Sequence, residues 1–229
     1  MKTLALAFVA ILLLSSSVFS QPIEISTPDQ LQAIGADETS LAGEYVLVND
    51  IDLAGYPWES IWGFSGTFDG NGHVVKGITQ NHEGEDYARA AGLFGKTLAG
   101  SVVKNVGVVD CNIASQWYTA ALVGDLFGEA SNCFAINGSV SVAGDCGNTG
   151  TLIGMVRESG SLSNCYSNLE FILSESSGWP DTHGGLIGYV AGPVTNCYYA
   201  GLLPLRVTYP EGDFSVMEQD LLPVVATSM

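Results

Sequence analysis

A block of four residues recurs four times at near-even spacing, and it limits what the chain can fold into more than any other feature. The copies are Gly92-Leu93-Phe94-Gly95, Ala121-Leu122-Val123-Gly124, Thr151-Leu152-Ile153-Gly154 and Gly185-Leu186-Ile187-Gly188, opening 29, 30 and 34 residues apart. A second block follows each one: Val103-Lys104-Asn105-Val106, Ser131-Asn132-Cys133-Phe134, Ser163-Asn164-Cys165-Tyr166 and Thr195-Asn196-Cys197-Tyr198. Its asparagines are 27, 32 and 32 residues apart. A period of this size marks a solenoid, in which each repeat is one coil that cannot bury its apolar face until a neighbour stacks on it.

Each repeat reads as an apolar triplet bounded by glycine, a Gly/Ser turn, an Asn-centred strand and a third apolar strand, as at residues 106–109, 139–142 and 169–172. Three short strands per coil predict an all-β chain, a right-handed parallel β-helix. A β-propeller blade needs roughly 40 residues or more, which is too long for this period. The 28 glycines and the low share of charged residues, 14%, fit strands joined by tight turns. The segment Asp69-Gly70-Asn71-Gly72 would be a hairpin turn in isolation; inside a repeat array it reads as the corner between two sides of one coil.

Ahead of the repeats, Thr27-Pro28-Asp29-Gln30 carries the signature of a helix start. Thr27 caps, Pro28 suits the first helical position and Gln30 completes a capping box, while Leu31 and Ile34 give one apolar side and Gly35 ends the helix. A short helix here can cover the open end of the first coil. Residues 1–20 read as a secretory signal peptide: Lys2 is the positive n-region, residues 4–14 are apolar, and Val18-Phe19-Ser20 is a small-residue cleavage site. The expected organisation is therefore a signal peptide at 1–20, an N-terminal cap at 21–61, the β-helix at 62–203, and a C-terminal cap or unstructured end at 204–229. The tail breaks the pattern with Pro204, Pro210 and Pro223.

Charge excludes some partners. Without Lys2 the chain has six basic residues against 24 acidic ones, a formal charge of −18. Such a surface repels phosphate backbones, so nucleic acid is not an expected partner, and uronate polymers and anionic membranes are disfavoured too. It suits neutral sugars, calcium or a basic partner. No transmembrane segment is expected after signal cleavage, and the oligomeric state is not specified.

These residues also carry a family likeness. Gly92-Leu93-Phe94-Gly95 and Gly185-Leu186-Ile187-Gly188 resemble the GLUG motif, glycine, leucine, a bulky residue, glycine. Residues 26–31, Tyr45-Val46-Leu47, Asp50-Ile51-Asp52-Leu53 and residues 66–73 resemble the leader found ahead of such repeats. The likeness covers about residues 23–200, and Ala121 and Thr151 depart from it at the first glycine. The resemblance implies a secreted or cell-surface, adhesin-like β-helix and no catalytic residues. Proteases with such repeats keep their chemistry elsewhere, and this chain has no His-Glu-x-x-His.

Stacked coils bring equivalent residues about 4.8 Å apart. Asn105, Asn132, Asn164 and Asn196 are then expected to form an amide ladder inside a turn, and Cys133, Cys165 and Cys197 a buried thiol stack in which one disulfide is geometrically allowed. Cys111 and Cys146 lie outside that register, and Cys146 is the expected exposed thiol. The loops before each apolar triplet should emerge along one edge of the solenoid. They hold Tyr87, Trp117, Tyr118 and Trp179, with carboxylates such as Asp181, a mixture suited to stacking on a glycan or meeting an extracellular protein. No metal site and no cofactor is expected, although the carboxylates leave calcium open. The alternative function is a polysaccharide hydrolase using an acidic pair, with Asp50 and Asp52 on one strand or Asp69 beside His73 as candidates. The basic residues do not recur in one register, which argues against a lyase.

Overall fold

The computed structural model describes residues 21–82, 90–142, 147–173 and 182–202. Residues 1–20, read as a signal peptide, and residues 204–229 lie outside the described residues, as do Tyr87, Cys146, Trp179 and Asp181.

The described chain is a parallel β-solenoid of about four turns with almost no helix. Its strands form four sheets that run the length of the coil, and every pairing within them is parallel. Sheet I holds Thr67–Asp69, Val102–Lys104, Glu129–Ser131, Ser161–Ser163 and Val194–Thr195, preceded by Ile23–Ile25 and Glu44–Leu47. Sheet II is built on the long strands Gly107–Ser115 and Phe134–Val142. Sheet III is narrow, with Ala90–Ala91, Trp117–Thr119, Thr149–Gly150 and His183–Gly184. Sheet IV holds Ile61–Phe64, Phe94–Thr97, Val123–Leu126, Ile153–Val156 and Ile187–Val190.

A coil therefore has four sides where the sequence pattern predicts three. The additional side is the two- or three-residue strand just before each glycine block, too short to leave a period-2 signal. Thr67–Asp69 and Val74–Lys76 join different sheets and different partners, so residues 69–72 are a corner between two sides.

The repeated asparagines are not strand centres. Asn105, Asn132, Asn164 and Asn196 lie at the corner between sheets I and II, with φ of 54°, 54°, 54° and 53°. Left-handed backbone is costly for most side chains, and Asn is among the few residues that tolerate it. Being identical in every coil, the corners can stack. Within each sheet IV strand, the second glycine of the block answers a different demand. A Cβ on Gly124 would lie 2.3 Å from the Tyr118 carbonyl oxygen, and one on Gly154 would lie 2.5 Å from that of Gly124. The backbone of sheet III closes over sheet IV at this column, so no side chain fits. The first position is looser: Thr151 occupies it fully buried, and its hydroxyl donates to Ser167 or to the Gly185 carbonyl.

The core fills the space between the sheets. Phe64, Phe68 and Phe94 are fully buried, with ring centroids 5.0 Å apart for Phe64 and Phe94 and 5.4 Å for Phe68 and Phe94. Burying one such ring contributes about 1.5–3 kcal/mol. At the N-terminal end, helix Pro28–Ala33 has the capping box read from the sequence, with Thr27 accepting from the Gln30 amide and the Gln30 side chain accepting from the Thr27 amide. It seats Leu31 and Ile34 on the core. A second helix, Glu38–Leu41, follows, capped by Asp37.

Candidate binding face

Sheet IV turns one column of side chains outward. Strand register aligns Trp62 with Lys96, Lys96 with Asp125, Asp125 with Met155, and Met155 with Tyr189. Each is the first residue after the glycine at the foot of the strand in its coil, or its equivalent in the cap. The ends of the column are open, Trp62 being 52% and Tyr189 43% exposed. Its middle is closed, because Asp125 is 3% exposed.

Burial of a carboxylate is costly unless it is paired and hydrogen-bonded. Arg157 supplies the partner from the end of the next strand. Its Nε donates to Asp125 Oδ1 at 2.6 Å and its Nη2 to Asp125 Oδ2 at 3.2 Å, a bidentate grip. Nη2 also donates to the Tyr118 hydroxyl at 3.3 Å. Hydrogen bonding to Asp125 holds the Arg157 guanidinium above its ordinary pKa, which outweighs the opposing effect of burial.

Aromatic rings bracket both cations. The Arg157 guanidinium carbon is 5.4 Å from the Tyr118 ring centre and 5.1 Å from that of Phe127. Lys96 Nζ also approaches this group, 4.7 Å from the Phe127 ring centre and 6.0 Å from that of Trp62. The two cations do not share a register, as the sequence indicates. Both reach Phe127 because Lys96 leaves the middle of its strand while Arg157 begins the turn two coils on. A groove of about 380 Å³ opens beside Arg157, lined by Phe127, Met155, Tyr189 and Ala191, with Glu158 and Ser159.

Of the residues proposed for the loop edge, Trp117 and Tyr118 are in the described chain. Both are half-buried in sheet III, with ring centroids 6.1 Å apart, and Tyr118 has a φ of 37°. Tyr118 turns toward Arg157, so the loop edge and the sheet IV face join at this ring. Tyr87, Trp179 and Asp181 lie outside the described residues.

The ladder residues lie on the far corner. Asn105 Nδ2 donates to Asp69 Oδ1 at 3.0 Å, Asn132 to Asn105 at 3.0 Å, Asn164 to Asn132 at 3.2 Å and Asn196 to Asn164 at 3.1 Å. Inside this corner Cys133, Cys165 and Cys197 are buried free thiols, and the Cys133 amide donates to Cys165 Sγ at 3.3 Å. The Cys165 hydrogen bond holds the Cys133 thiol below its ordinary pKa, while the same contact, with burial, pushes Cys165 up to about 12. Cys111, also free and buried, is pushed up to about 12 by burial.

The candidate acidic pairs serve the corners. Asp50 Oδ1 lies 3.1 Å from His73 Nδ1 and accepts from the Val74 amide. Asp52 pairs with Lys76 at 3.2 Å and accepts from the Ala54 amide. Asp69 accepts from the Asn71 amide and from Asn105, with Lys104 at 3.4 Å, so His73 belongs with Asp50 rather than Asp69. Among the described residues there is no group of three or more His, Cys, Asp or Glu that could hold a metal ion. None of their helices is long and apolar enough to cross a membrane.

No protein-family model matches the chain. Over 157 residues it is 27% identical to halomucin of Haloquadratum walsbyi, a match covering 64% of this chain and 2% of the halomucin; the chain thus spans a small fraction of that relative's length. Among solved structures it resembles a protein of Bacteroides ovatus provisionally named an immunoglobulin A1 protease. The TM-score is 0.50 and the identity 18%, over 85% of this chain and 81% of the other. At that identity the likeness concerns the fold.

Proposed function

We propose that this chain is an exported, non-enzymatic binding module of GLUG type, adhesin-like, that engages a glycan or an extracellular protein. The observation that carries the reading is the outward face of sheet IV, where exposed Trp62 and Tyr189 flank the Arg157–Asp125 pair and Tyr118 links the face to the loop edge. Aromatic rings beside fixed hydrogen-bonding groups on a rigid wall are what a sugar or a partner side chain needs. The likeness to a segment of a halomucin supports a place outside the cell, as does the N-terminal leader read from the sequence. The acidity of the chain supports a partner other than nucleic acid.

A polysaccharide hydrolase is the competing reading. The carboxylates proposed for it already serve as acceptors for neighbouring amides and ammonium groups, which favours a structural role. A glycan array with a reducing-sugar release assay on the mature protein separates the two. Binding without turnover is the expected result. Turnover lost in Asp50→Asn or Asp69→Asn would establish the hydrolase instead. For the loop edge, Trp117→Ala and Trp179→Ala are expected to weaken binding at unchanged melting temperature; equal affinity in both would remove that edge from the site.

A further inference from the structure

We infer that the sheet IV face takes a sugar chain that lies along the solenoid axis and carries one acidic substituent, a carboxylate or a sulfate, held at Lys96. This rests on the binding reading above and assigns its site and ligand class.

Lys96 is the reason for the acidic group. Its ammonium has ring partners, Phe127 at 4.7 Å and Trp62 at 6.0 Å, and no carboxylate within ion-pair distance among the described residues. Lys76, Lys104 and Arg157 each have one. In a chain with 24 acidic residues, an ammonium facing outward between two rings is a conspicuous exception. Asp125, its neighbour in register, is consumed by Arg157 and buried, so it offers the ligand no acceptor. What remains at the centre of the face is donor-rich: the Lys96 N–H groups and the outer edge of the Arg157 guanidinium. A donor-rich centre recognises an acceptor, and a charged acceptor best.

The surroundings limit that charge to about one. Glu158 stands at the groove rim, and the chain as a whole is at −18 once the leader is set aside. At physiological salt, charges more than about 8 Å apart are largely screened, so Lys96 dominates its own neighbourhood. A polymer charged at every unit would place further charges against Glu158 and the acidic surface. The length of the face fits a chain rather than a single sugar. Trp62 and Tyr189 are separated by four strand steps, about 19 Å at the usual spacing of sheets. Exposed rings at both ends stack on pyranose faces, and the groove at the Tyr189 end, about 380 Å³ between Tyr189, Phe127 and Arg157, has the volume of a small-molecule site.

The test titrates the mature protein with three probes: a neutral oligosaccharide, the same oligosaccharide bearing one carboxylate, and a densely sulfated polymer. The singly acidic probe is expected to bind at least tenfold more tightly than either of the others, and to weaken as salt is raised. Lys96→Gln should abolish the advantage over the neutral probe. Trp62→Ala, at a half-exposed ring, should weaken the singly acidic and neutral probes alike with unchanged melting temperature. Equal affinity for the neutral and singly acidic probes, or an unchanged preference in Lys96→Gln, overturns the assignment. Binding lost in Trp117→Ala but kept in Trp62→Ala moves the ligand to the loop edge, which overturns this site and leaves the binding reading standing. Failure of every probe to bind overturns the sugar site and leaves the extracellular-protein half of the binding reading standing.

Discussion

Asn132 donates from Nδ2 to Oδ1 of Asn105, a residue 27 positions earlier, at 3.0 Å. The pair is one step of a run in which each side chain gives to the coil before and receives from the coil after. Both residues also hold left-handed backbone at φ 54°. One residue type thus satisfies two separate demands, and substitutions can separate them. Asn132→Ala should lose about 2–3 kcal/mol, combining about 1 kcal/mol of backbone strain with two lost hydrogen bonds. Asn132→Gly keeps the backbone free and should lose less, about 1–2 kcal/mol. Urea unfolding measures both, and equal losses would mean that the corner conformation contributes nothing.

Asp125 is buried against one guanidinium, which makes the pair asymmetric to mutation. Arg157→Ala leaves an unpaired carboxylate at a 3% exposed position and should cost about 3 kcal/mol. Replacing both partners by apolar residues, Asp125→Leu with Arg157→Met, should recover most of that loss. Thermal melts of the single and double variants check this. A double variant as unstable as the single one would show that the pair is needed for packing.

Acid should loosen the same corner that the amides hold. Burial raises the Asp69 carboxyl, but hydrogen bonds from Asn105 and the Asn71 amide, with Lys104 nearby, outweigh it and leave the group below its ordinary value of 3.8. A depressed carboxyl stabilises the fold fully above the unfolded value and loses that contribution as pH falls through the lower folded one. Asp69→Asn removes this linkage. The stability difference between wild type and variant should be constant above about pH 5 and shrink below it. A difference that stays constant down to pH 2 would count against the assignment.

The thiols should be inert. Cys111, Cys133, Cys165 and Cys197 are buried; burial and neighbouring contacts push Cys111 and Cys165 up to about 12, while Cys133, held below its ordinary value by Cys165, is shielded by burial alone. Iodoacetamide on the native protein at pH 8 should therefore modify none of them, while unfolding in urea should expose all four. The sequence leaves Cys146 as the residue to take a label in the native state. Peptide mapping decides, and rapid native labelling at Cys165 would contradict the buried stack.

What the sequence made legible followed from signals that repeat or that act locally. The period, the stacking of Asn105 through Asn196 and the helix start at Thr27 were all readable, because each is carried by residues at fixed spacing. The helix Glu38–Leu41 was also available from Asp37 and Ser40, which cap each other, but four residues leave no periodicity to read. The ladder reads as lying inside a turn, but Ser-Asn-Cys beside an apolar run also looks like the centre of a strand, and only the φ of 53–54° settles which. The Lys96–Phe127–Arg157 cluster was missed for a spatial reason. Its members come from different offsets in successive repeats, so comparison within a register does not group them. Aligning the residues after Gly95, Gly124, Gly154 and Gly188 recovers Lys96, Asp125, Met155 and Tyr189, and with them the face.

The asparagine corner also decides where the chain tolerates change in length. From Asp69 to Asn196 the steps along the sequence are 36, 27, 32 and 32 residues, yet the hydrogen bonds joining them stay between 3.0 and 3.2 Å. Insertions and deletions are thus absorbed elsewhere in the circuit, and the wall keeps its pitch. A coil can lengthen its excursion between sheets II and III, and so alter what it presents outward, without disturbing the neighbours it stacks on.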